Sequence, residues 1–355
     1  MLKKLYLHHF RNYTQLTIPF SPGVNWITGR NGQGKTNLID AISVLSTGRS
    51  FRTSQLSQLI QHGEAFFYLE TTFEREEVSQ ILKVSFDGEN KRVQHNATQY
   101  SHFSPLLGLI PFVLYAPEDI ALVGGAPAIR RRFFNLHLAQ VDPLYLHHLA
   151  RYHKAMRQRN ELLKKRSEEA IDPWEMAMAV SGHYLMEKRR QFISEMQKPF
   201  HEKGLALSEG ADHFRIAYQS SLPFSSSDSL LDHLQKNRKK ELHIGTTLAG
   251  PHRDDIRFSV GGQSAKAYAS EGQKHSIIAS LRLSEWEHLK GHTSLSPLLC
   301  IDDFGAHLDP FRQKRLEEML GSVGQTFLTS PTVNSAIFPD KQVIEIEAGL
   351  VTKNA

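Results

Sequence analysis

A chain of 355 residues, 40% hydrophobic and 22% charged, has room for two or more domain-sized units, each with its own core. Its longest apolar stretch, around "LLGLIPFVLY", is about half of what a bilayer crossing needs, and "MLKKLYLHHFRNY" at the N-terminus lacks the apolar core and cleavage site of a secretory signal. A single cysteine, Cys300, excludes an intramolecular disulfide, so the expected address is cytoplasmic.

The 19 histidines form no HExxH pattern, and "LHHLARYH" reads as a polar helix face, so no zinc site is expected. The net charge of +5 is unevenly placed. Residues Ala126 to Ile244 hold 20 Lys and Arg against 14 Asp and Glu, whereas the remainder holds 22 against 23. The basic excess is therefore central. It fits a polyanionic partner, and it equally fits a helical arm with a solvated basic face.

In chain order, the first hundred residues read as strands and turns with one helix. "KLYLHHF", "TQLTIPF", "GVNWITG", "FFYLETTF" and "ILKVSF" are strand-like, and "FDGEN" offers an Asp-Gly turn into "KRVQHN". "PFVLYAP" reads as a buried strand. From about Ala128 the pattern becomes helical. Leu149, Tyr152, Met156, Asn160 and Leu163 share one face, as do Met178, Ser181, Leu185 and Phe192. "SEEAIDP" lies between them as a tip, which predicts a short antiparallel helical hairpin. "SSLPFSSSDS" reads as a loop closing the insertion. "RDDIRFSV", a helix, "PLLCIDD", another helix, "TFLTS" and "QVIEIEA" then complete a sheet. The expected division is 1–125 and 245–355 as the two parts of one α/β domain, with 126–244 as a basic helical insertion.

Two motifs carry chemistry. "GRNGQGKT" matches G-x-x-x-x-G-K-[ST] and lies between a strand and a helix. In that setting the backbone N–H groups of Gly29, Arg30, Asn31, Gly32, Gln33 and Gly34 form an anion cradle at a helix N-terminus. Lys35 supplies a charge for the β- and γ-phosphates of ATP, and the Thr36 hydroxyl is a ligand for Mg²⁺. In "PLLCIDD" a buried strand ends on two carboxylates. Asp302 is placed to hold the Mg²⁺ shell and Asp303 to orient or deprotonate an attacking water.

A third stretch, "AYASEGQKHS", reads alone as a capping box of Ser270 and Gln273 at the start of the helix "IIASLRLSEWEHL". Its position changes that reading. Between Lys35 and Asp302 lie 266 residues, including the basic insertion, and "AHLD" follows the acidic pair. Phosphate loop, insertion, serine-glycine helix start, acidic strand and D-loop, in that order, are the layout of ATP-binding-cassette (ABC) heads.

The sequence resembles the RecF family of DNA repair and replication proteins along nearly its whole length. The resemblance is carried by "LHHFRNYTQLTIPFSPGVNWITGRNGQGKTNLIDAISVLSTGRSFRT", "YAPEDIALVGGAPAIRRRFFN", "LAGPHRDDIRF", "YASEGQKHSIIASLRLSEW" and "PLLCIDDFGAHLD". It implies an α/β ABC-type P-loop ATPase head, a mixed sheet with helices, related to SMC heads but with a short inserted helical arm. It implies that Ser270, Gly272 and Gln273 cap the γ-phosphate of ATP held by a second copy, so Ser270 acts in trans in an ATP-dependent homodimer. Arg11 and Asn12 match a segment beside the nucleotide. The implied activity is weak, DNA-stimulated ATP hydrolysis that times release from DNA, double-stranded or at gaps and single-stranded junctions. The implied partners are RecR and RecO, and indirectly RecA.

Departures from that family pattern are local. Asp40 stands where glutamate is usual, Gly124 where lysine is frequent, and His307 within "AHLD" where the D-loop usually has glutamate. No histidine follows "TFLT", so Thr329 or Ser330 is left for the switch position, and Glu118 is the candidate metal contact in "APEDIAL". Arg130, Arg131 and Arg132 read equally as a DNA patch and as a solvated helix start. Trp174 and Trp286 read as packing residues and "GPHRDD" as a structural or interlobe element. Two rival functions remain at this point: a transporter's nucleotide-binding subunit, which the basic insertion disfavours, and a structural DNA-binding protein with a degenerate ATP site, which Lys35, Thr36 and Asp302 disfavour.

Overall fold

The computed structural model describes the whole chain except residues 223–224, 294, 307, 334–337, 339 and 355. It divides into two compact units. One comprises Met1–Asp119, Ala206–Glu209 and Glu271–Ala355, the other Ile120–Leu205 and Gly210–Ser270.

The first unit begins with β1 (Leu2–Phe10), β2 (Tyr13–Pro19) and β3 (Val24–Thr28), followed by α1 (Lys35–Thr47). It continues with β4 (Phe67–Arg75), β5 (Val78–Phe86), β6 (Lys91–His95), β7 (Thr98–Tyr100) and β8 (Phe112–Tyr115). An antiparallel sheet runs β2-β1-β4-β5-β6-β7. Its strands alternate because one face is packed on the core. The expected turn at "FDGEN" joins β5 to β6, with Asp87 Oδ1 accepting from the N–H groups of Glu89 and Asn90 at 3.2 and 2.7 Å.

The second unit holds α2 (Ile120–Gly124), α3 (Pro127–Val141), α4 (Pro143–Lys164) and most of α5 (Asp172–Leu207). β9 (Phe214–Gln219), α6 (Ser227–Ile244), β10 (Asp255–Val260), β11 (Gln263–Ser264) and α7 (Ala265–Tyr268) complete it. Helices α4 and α5 form the expected antiparallel hairpin: Arg159 meets Glu175, and Tyr145 meets Arg189. The insertion is larger than its helical periodicity indicated. Apart from Ala206–Glu209, it runs from Ile120 to Ser270, and within it β10 pairs antiparallel with β9 in a three-stranded sheet ordered β11-β10-β9. "GPHRDD" and the strand after it therefore belong to the inserted unit, not to the C-terminal part of the head.

The chain returns to the first unit with α8 (Glu271–Thr293), β12 (Leu298–Ile301), α9 (Pro310–Leu320), β13 (Thr326–Ser330), β14 (Gln342–Glu347) and β15 (Leu350–Asn354). These strands join β3 and β8 in a sheet ordered β15-β14-β3-β13-β12-β8, parallel throughout except for the β14–β15 hairpin. β12 and β13 are buried at every position, as parallel strands covered on both faces must be. One core, including Leu5, Leu7, Leu69, Ile39, Cys300 and Phe327, joins both sheets to α1. Since β3, β13 and β12 are adjacent and parallel, their C-terminal ends open on the same edge. The phosphate loop leaves β3 there, and Asp302 leaves β12 there. Trp286 is a packing residue as expected, its indole N–H bonded to the Pro297 carbonyl at 2.8 Å. Among the described residues, no helix is long and apolar enough to cross a membrane.

Candidate nucleotide-binding site

The loop between β3 and α1 takes its shape from glycine. Gly29 and Gly34 have φ of 143° and 119°, where a side chain is strained. Space forbids one as well. A Cβ on Gly29 would lie 2.2 Å from the Ile346 carbonyl oxygen, and one on Gly34 would lie 2.6 Å from Asn12 Nδ2. The loop is thus pressed against β14 on one side and against the β1–β2 turn on the other.

Hydrogen bonds hold it in place. Asn12 Nδ2 donates to the Gln33 carbonyl at 2.9 Å, and Asn12 Oδ1 accepts from Asn37 at 2.8 Å. The Tyr13 hydroxyl donates to the Gly34 carbonyl at 2.9 Å. From the C-terminal hairpin, the Gly349 N–H reaches the Gln33 carbonyl at 3.2 Å, and the Ala348 N–H reaches Gln33 Oε1 at 2.5 Å. Loop carbonyls are turned into the protein by these contacts. Arg11 acts one step further out. Its guanidinium is 3.1 Å from Asp40, a buried residue of α1 that also accepts from Ser50 Oγ at 2.9 Å and from the Phe51 N–H at 3.1 Å. Asp40 thus ties Arg11 to the segment that follows α1.

Lys35 lies across the loop. Its Nζ donates to the carbonyls of Gly29 and Arg30 at 2.7 and 3.0 Å. Burial lowers its pKa, and the negative charges of Asp303 and Asp302 work in the opposite direction. The next residue makes the decisive contact: Thr36 Oγ1 donates to Asp302 Oδ1 at 3.0 Å. Thr329, on the strand between β3 and β12, completes the arrangement. Its hydroxyl donates to the same Oδ1 at 2.6 Å and accepts from the Asp303 N–H at 2.9 Å. Burial raises the Asp302 pKa, hydrogen bonds from Thr329 and Thr36 oppose this, and the charges of Asp303 and Glu118 add to it. Asp303 itself has φ of 53°, a left-handed turn that ends the strand abruptly. The hard oxygens of Thr36 and Asp302 suit Mg²⁺, which takes one or two carboxylates with substrate phosphates rather than a full protein cage.

Ser270 stands immediately before α8, where the helix-start reading put it. Gly272 is in the first turn of α8, with its carbonyl accepting from Ser276 Oγ at 3.0 Å. That hydroxyl accepts in turn from Arg312 of α9 at 3.0 Å, tying α8 to the helix after the acidic strand. His275, buried in the next turn, lines a cavity with Tyr115, Asp302, Asp303 and Leu308. Sequence reasoning passed over His275, Thr329's double role, Tyr13 and the β14–β15 hairpin. Only Thr329 had a local signal, its position after an apolar run parallel to the phosphate-loop strand. His307 lies outside the described residues.

The three arginines of "AIRRRFF" separate. Arg130 is 5% exposed and clasps Asp255 through Nε and Nη2 at 2.6 and 2.9 Å, with Nη1 on the carbonyls of Leu122 and Gly125. Its charge is neutralised inside the second unit, which removes it from the candidate DNA patch. Arg131 is half-buried and donates to the Asp254 carbonyl at 2.9 Å, and Arg132 is exposed.

This is a P-loop ATPase head of the ABC type, a mixed sheet with a phosphate loop and an acidic strand side by side. Residues 1–108 match the RecF/RecN/SMC N-terminal domain. Over 354 residues the chain is 42% identical to the DNA replication and repair protein RecF of Protochlamydia amoebophila, covering 97% of this chain and 98% of that one. To the protein of the same name from Chlamydia caviae it is 38% identical over 336 residues, covering 93% and 91%. The chain belongs to the RecF family. Among solved structures it is similar to the recombination mediator protein RecF with ATP, of the RecFOR pathway, with a TM-score of 0.90 at 28% identity over 100% of this chain and 97% of that one. An SMC head bound to the C-winged helix domain of ScpA has a TM-score of 0.58 at 16% identity over 100% and 97%, a likeness of fold.

Proposed function

We propose that this chain is an ATP-dependent DNA-binding protein of recombinational repair and replication restart. It binds ATP on residues 29–36 with Mg²⁺ at Thr36 and Asp302. A second copy joins through Ser270, Gly272 and Gln273, and the pair releases DNA after slow, DNA-stimulated hydrolysis. In the cytoplasm it works with RecO and RecR to load RecA at gaps, on double-stranded DNA and at single-stranded junctions. The observation that carries this reading is the Thr36–Asp302 hydrogen bond, which closes a site from residues 266 positions apart. A chain retaining only a degenerate nucleotide fold has no reason to keep that contact with Lys35 beside it.

In the proposed mechanism, N–H groups of the loop and Lys35 hold the phosphates; Thr36 and Asp302 would hold Mg²⁺, which would supply positive charge to offset theirs. Asp303 accepts a proton from the attacking water. Thr329 keeps the two carboxylates distinct, fixing the Asp302 side chain through its hydroxyl hydrogen and the Asp303 backbone through its oxygen. Ser270 of the second copy supplies a small hydroxyl and a helix N-terminus to the γ-phosphate.

Phosphate release with and without DNA tests the hydrolysis. A mixing experiment tests the composite site. Ser270→Arg should bind ATP as a monomer and fail to dimerise. Mixed with Lys35→Ala it should regain partial turnover, because a heterodimer has one site carrying both lesions and one carrying neither. Normal dimerisation of Ser270→Arg by light scattering would return "ASEGQ" to a helix cap.

A further inference from the structure

The open face of the antiparallel sheet carries rings that the core does not need. Along β1 and β4 the inward positions, including Leu5, Leu7, Leu69 and Phe67, are buried and fill the interior. The alternate positions are Tyr6 and His8 on β1 and Tyr68 on β4, with His8 directly opposite Tyr68. Phe66, just ahead of β4, is 37% exposed. These rings form one group. Tyr6 lies 5.9 Å from Tyr68 and 6.4 Å from His8 between centroids, and His8 lies 5.6 Å from Phe66.

Beside the rings, and sharing Tyr68 with them, is a concavity with three cations and no carboxylate in its lining: Lys83, Lys91 and Arg92, with Ser85, Gln94 and Gln99 between them. Lys83 and Arg92 stand on the outward face in register, Lys83 opposite Glu70 and Arg92 opposite Ser85. Both outward cations have an acid at the rim: Lys83 lies 3.6 Å from Glu70, which the Tyr68 hydroxyl also engages, and Arg92 lies 3.1 Å from the exposed Asp87. Lys91, of opposite parity to Arg92, is half-buried and donates to the Gly48 carbonyl at 2.5 Å, its pKa pushed down to about 8 by burial, so the outward charges are those of Lys83 and Arg92. Ring faces adjoining a cationic hollow are the two elements of single-strand recognition: π surfaces for unpaired bases and charges for the phosphates between them, here cations whose exposed ion pairs a phosphate can replace. A duplex keeps its bases stacked on each other and has no ring face to offer.

We propose that this face binds single-stranded DNA, with bases on Tyr6, His8 and Tyr68 and phosphates at Lys83 and Arg92. The proposal rests on the reading of the chain as a DNA-binding protein, and it assigns the single strand to a surface independent of the phosphate loop. Binding here requires no ATP.

The test uses the full chain without nucleotide and a labelled oligo-dT, read by anisotropy over a salt series. Tyr6→Val with Tyr68→Val keeps strand-forming residues and removes two rings. The affinity should fall about tenfold for each, on the scale of base–aromatic stacking. Lys83→Gln with Arg92→Gln leaves the packing untouched and should lower the slope of log K against log [salt] by about 1.4. A 5-iodouracil oligonucleotide should crosslink to β1 or β4, and unlabelled duplex of equal length should compete poorly. Unchanged affinity in both variants, crosslinks mapping elsewhere, or equal competition by duplex would each overturn the proposal. ATP hydrolysis on duplex should be unaltered in both variants. If the wild type hydrolyses no ATP, the functional reading fails while the crosslink still reports on this face.

Discussion

Lys35 and Arg130 are both 5% exposed, and both stand in the first turn of a helix. Their surroundings differ. Lys35 donates to the carbonyls of Gly29 and Arg30, in a loop that Asn12 and Tyr13 hold through the carbonyls of Gln33 and Gly34. Arg130 grips a carboxylate with two nitrogens. A carbonyl offers only a dipole, so Lys35 keeps its charge for a polyanion, whereas Arg130 has its charge cancelled. A buried cation is therefore a ligand site or a structural pin according to what stands opposite it. The same distinction thins the basic insertion. Arg159 pairs with Glu175 at 2.8 Å and Glu241 at 2.7 Å, Arg189 reaches the Tyr145 hydroxyl and the Pro251 carbonyl, and Arg238 also meets Glu175. Four of the central cations, Arg130, Arg159, Arg189 and Arg238, are thus occupied inside their own unit.

The contrast can be broken by substitution. Lys35→Ala should remove measurable ATP binding by calorimetry while leaving the fold intact, because Lys35 donates only to backbone carbonyls and Asp302 keeps its hydrogen bonds from Thr36 and Thr329. A comparable loss of stability would make Lys35 a pin like Arg130. Next in size, Asp303→Asn should slow phosphate release by about 100-fold or more with ATP affinity kept, since it removes a base and preserves a hydrogen-bonding side chain. Turnover at the wild-type rate would move the base, with Glu118 and His275 the nearest groups to examine.

Arg130→Met should cost about 2–4 kcal/mol of stability in chemical denaturation, because Asp255 and two carbonyls lose their partner. DNA affinity should keep its salt dependence in that variant. Arg132→Gln should do the reverse at the smallest scale. Stability is unchanged, and the slope of log K against log [salt] for duplex DNA falls by about 0.9 if this exposed residue meets one phosphate. A variant pair with equal slopes would return Arg132 to a solvated helix face.

Local chemistry accounts for what could be read directly. The phosphate loop declares itself because its function lies in the backbone: only glycine allows the φ of Gly29 and Gly34, and the spacing to Lys35 follows from the helix it opens. "PLLCIDD" is legible because a parallel strand covered on both faces must be apolar until it leaves the sheet. The extent of the insertion was not legible. Helical periodicity marked α4 and α5, but β10 carries no mark of which sheet it will join, and pairing with β9 settled it.

By itself, then, the sequence determined the elements, the cradle and the two carboxylates, since each depends on residues a few positions apart. Tertiary structure alone decided which groups meet. Ile346 limits Gly29 from more than three hundred residues away, and Thr329 orders Asp302 and Asp303 from the neighbouring strand. Asp255 cancels Arg130 across 125 positions, a pairing that no composition count could register, because charge is additive along a chain while its neutralisation depends on distance in space.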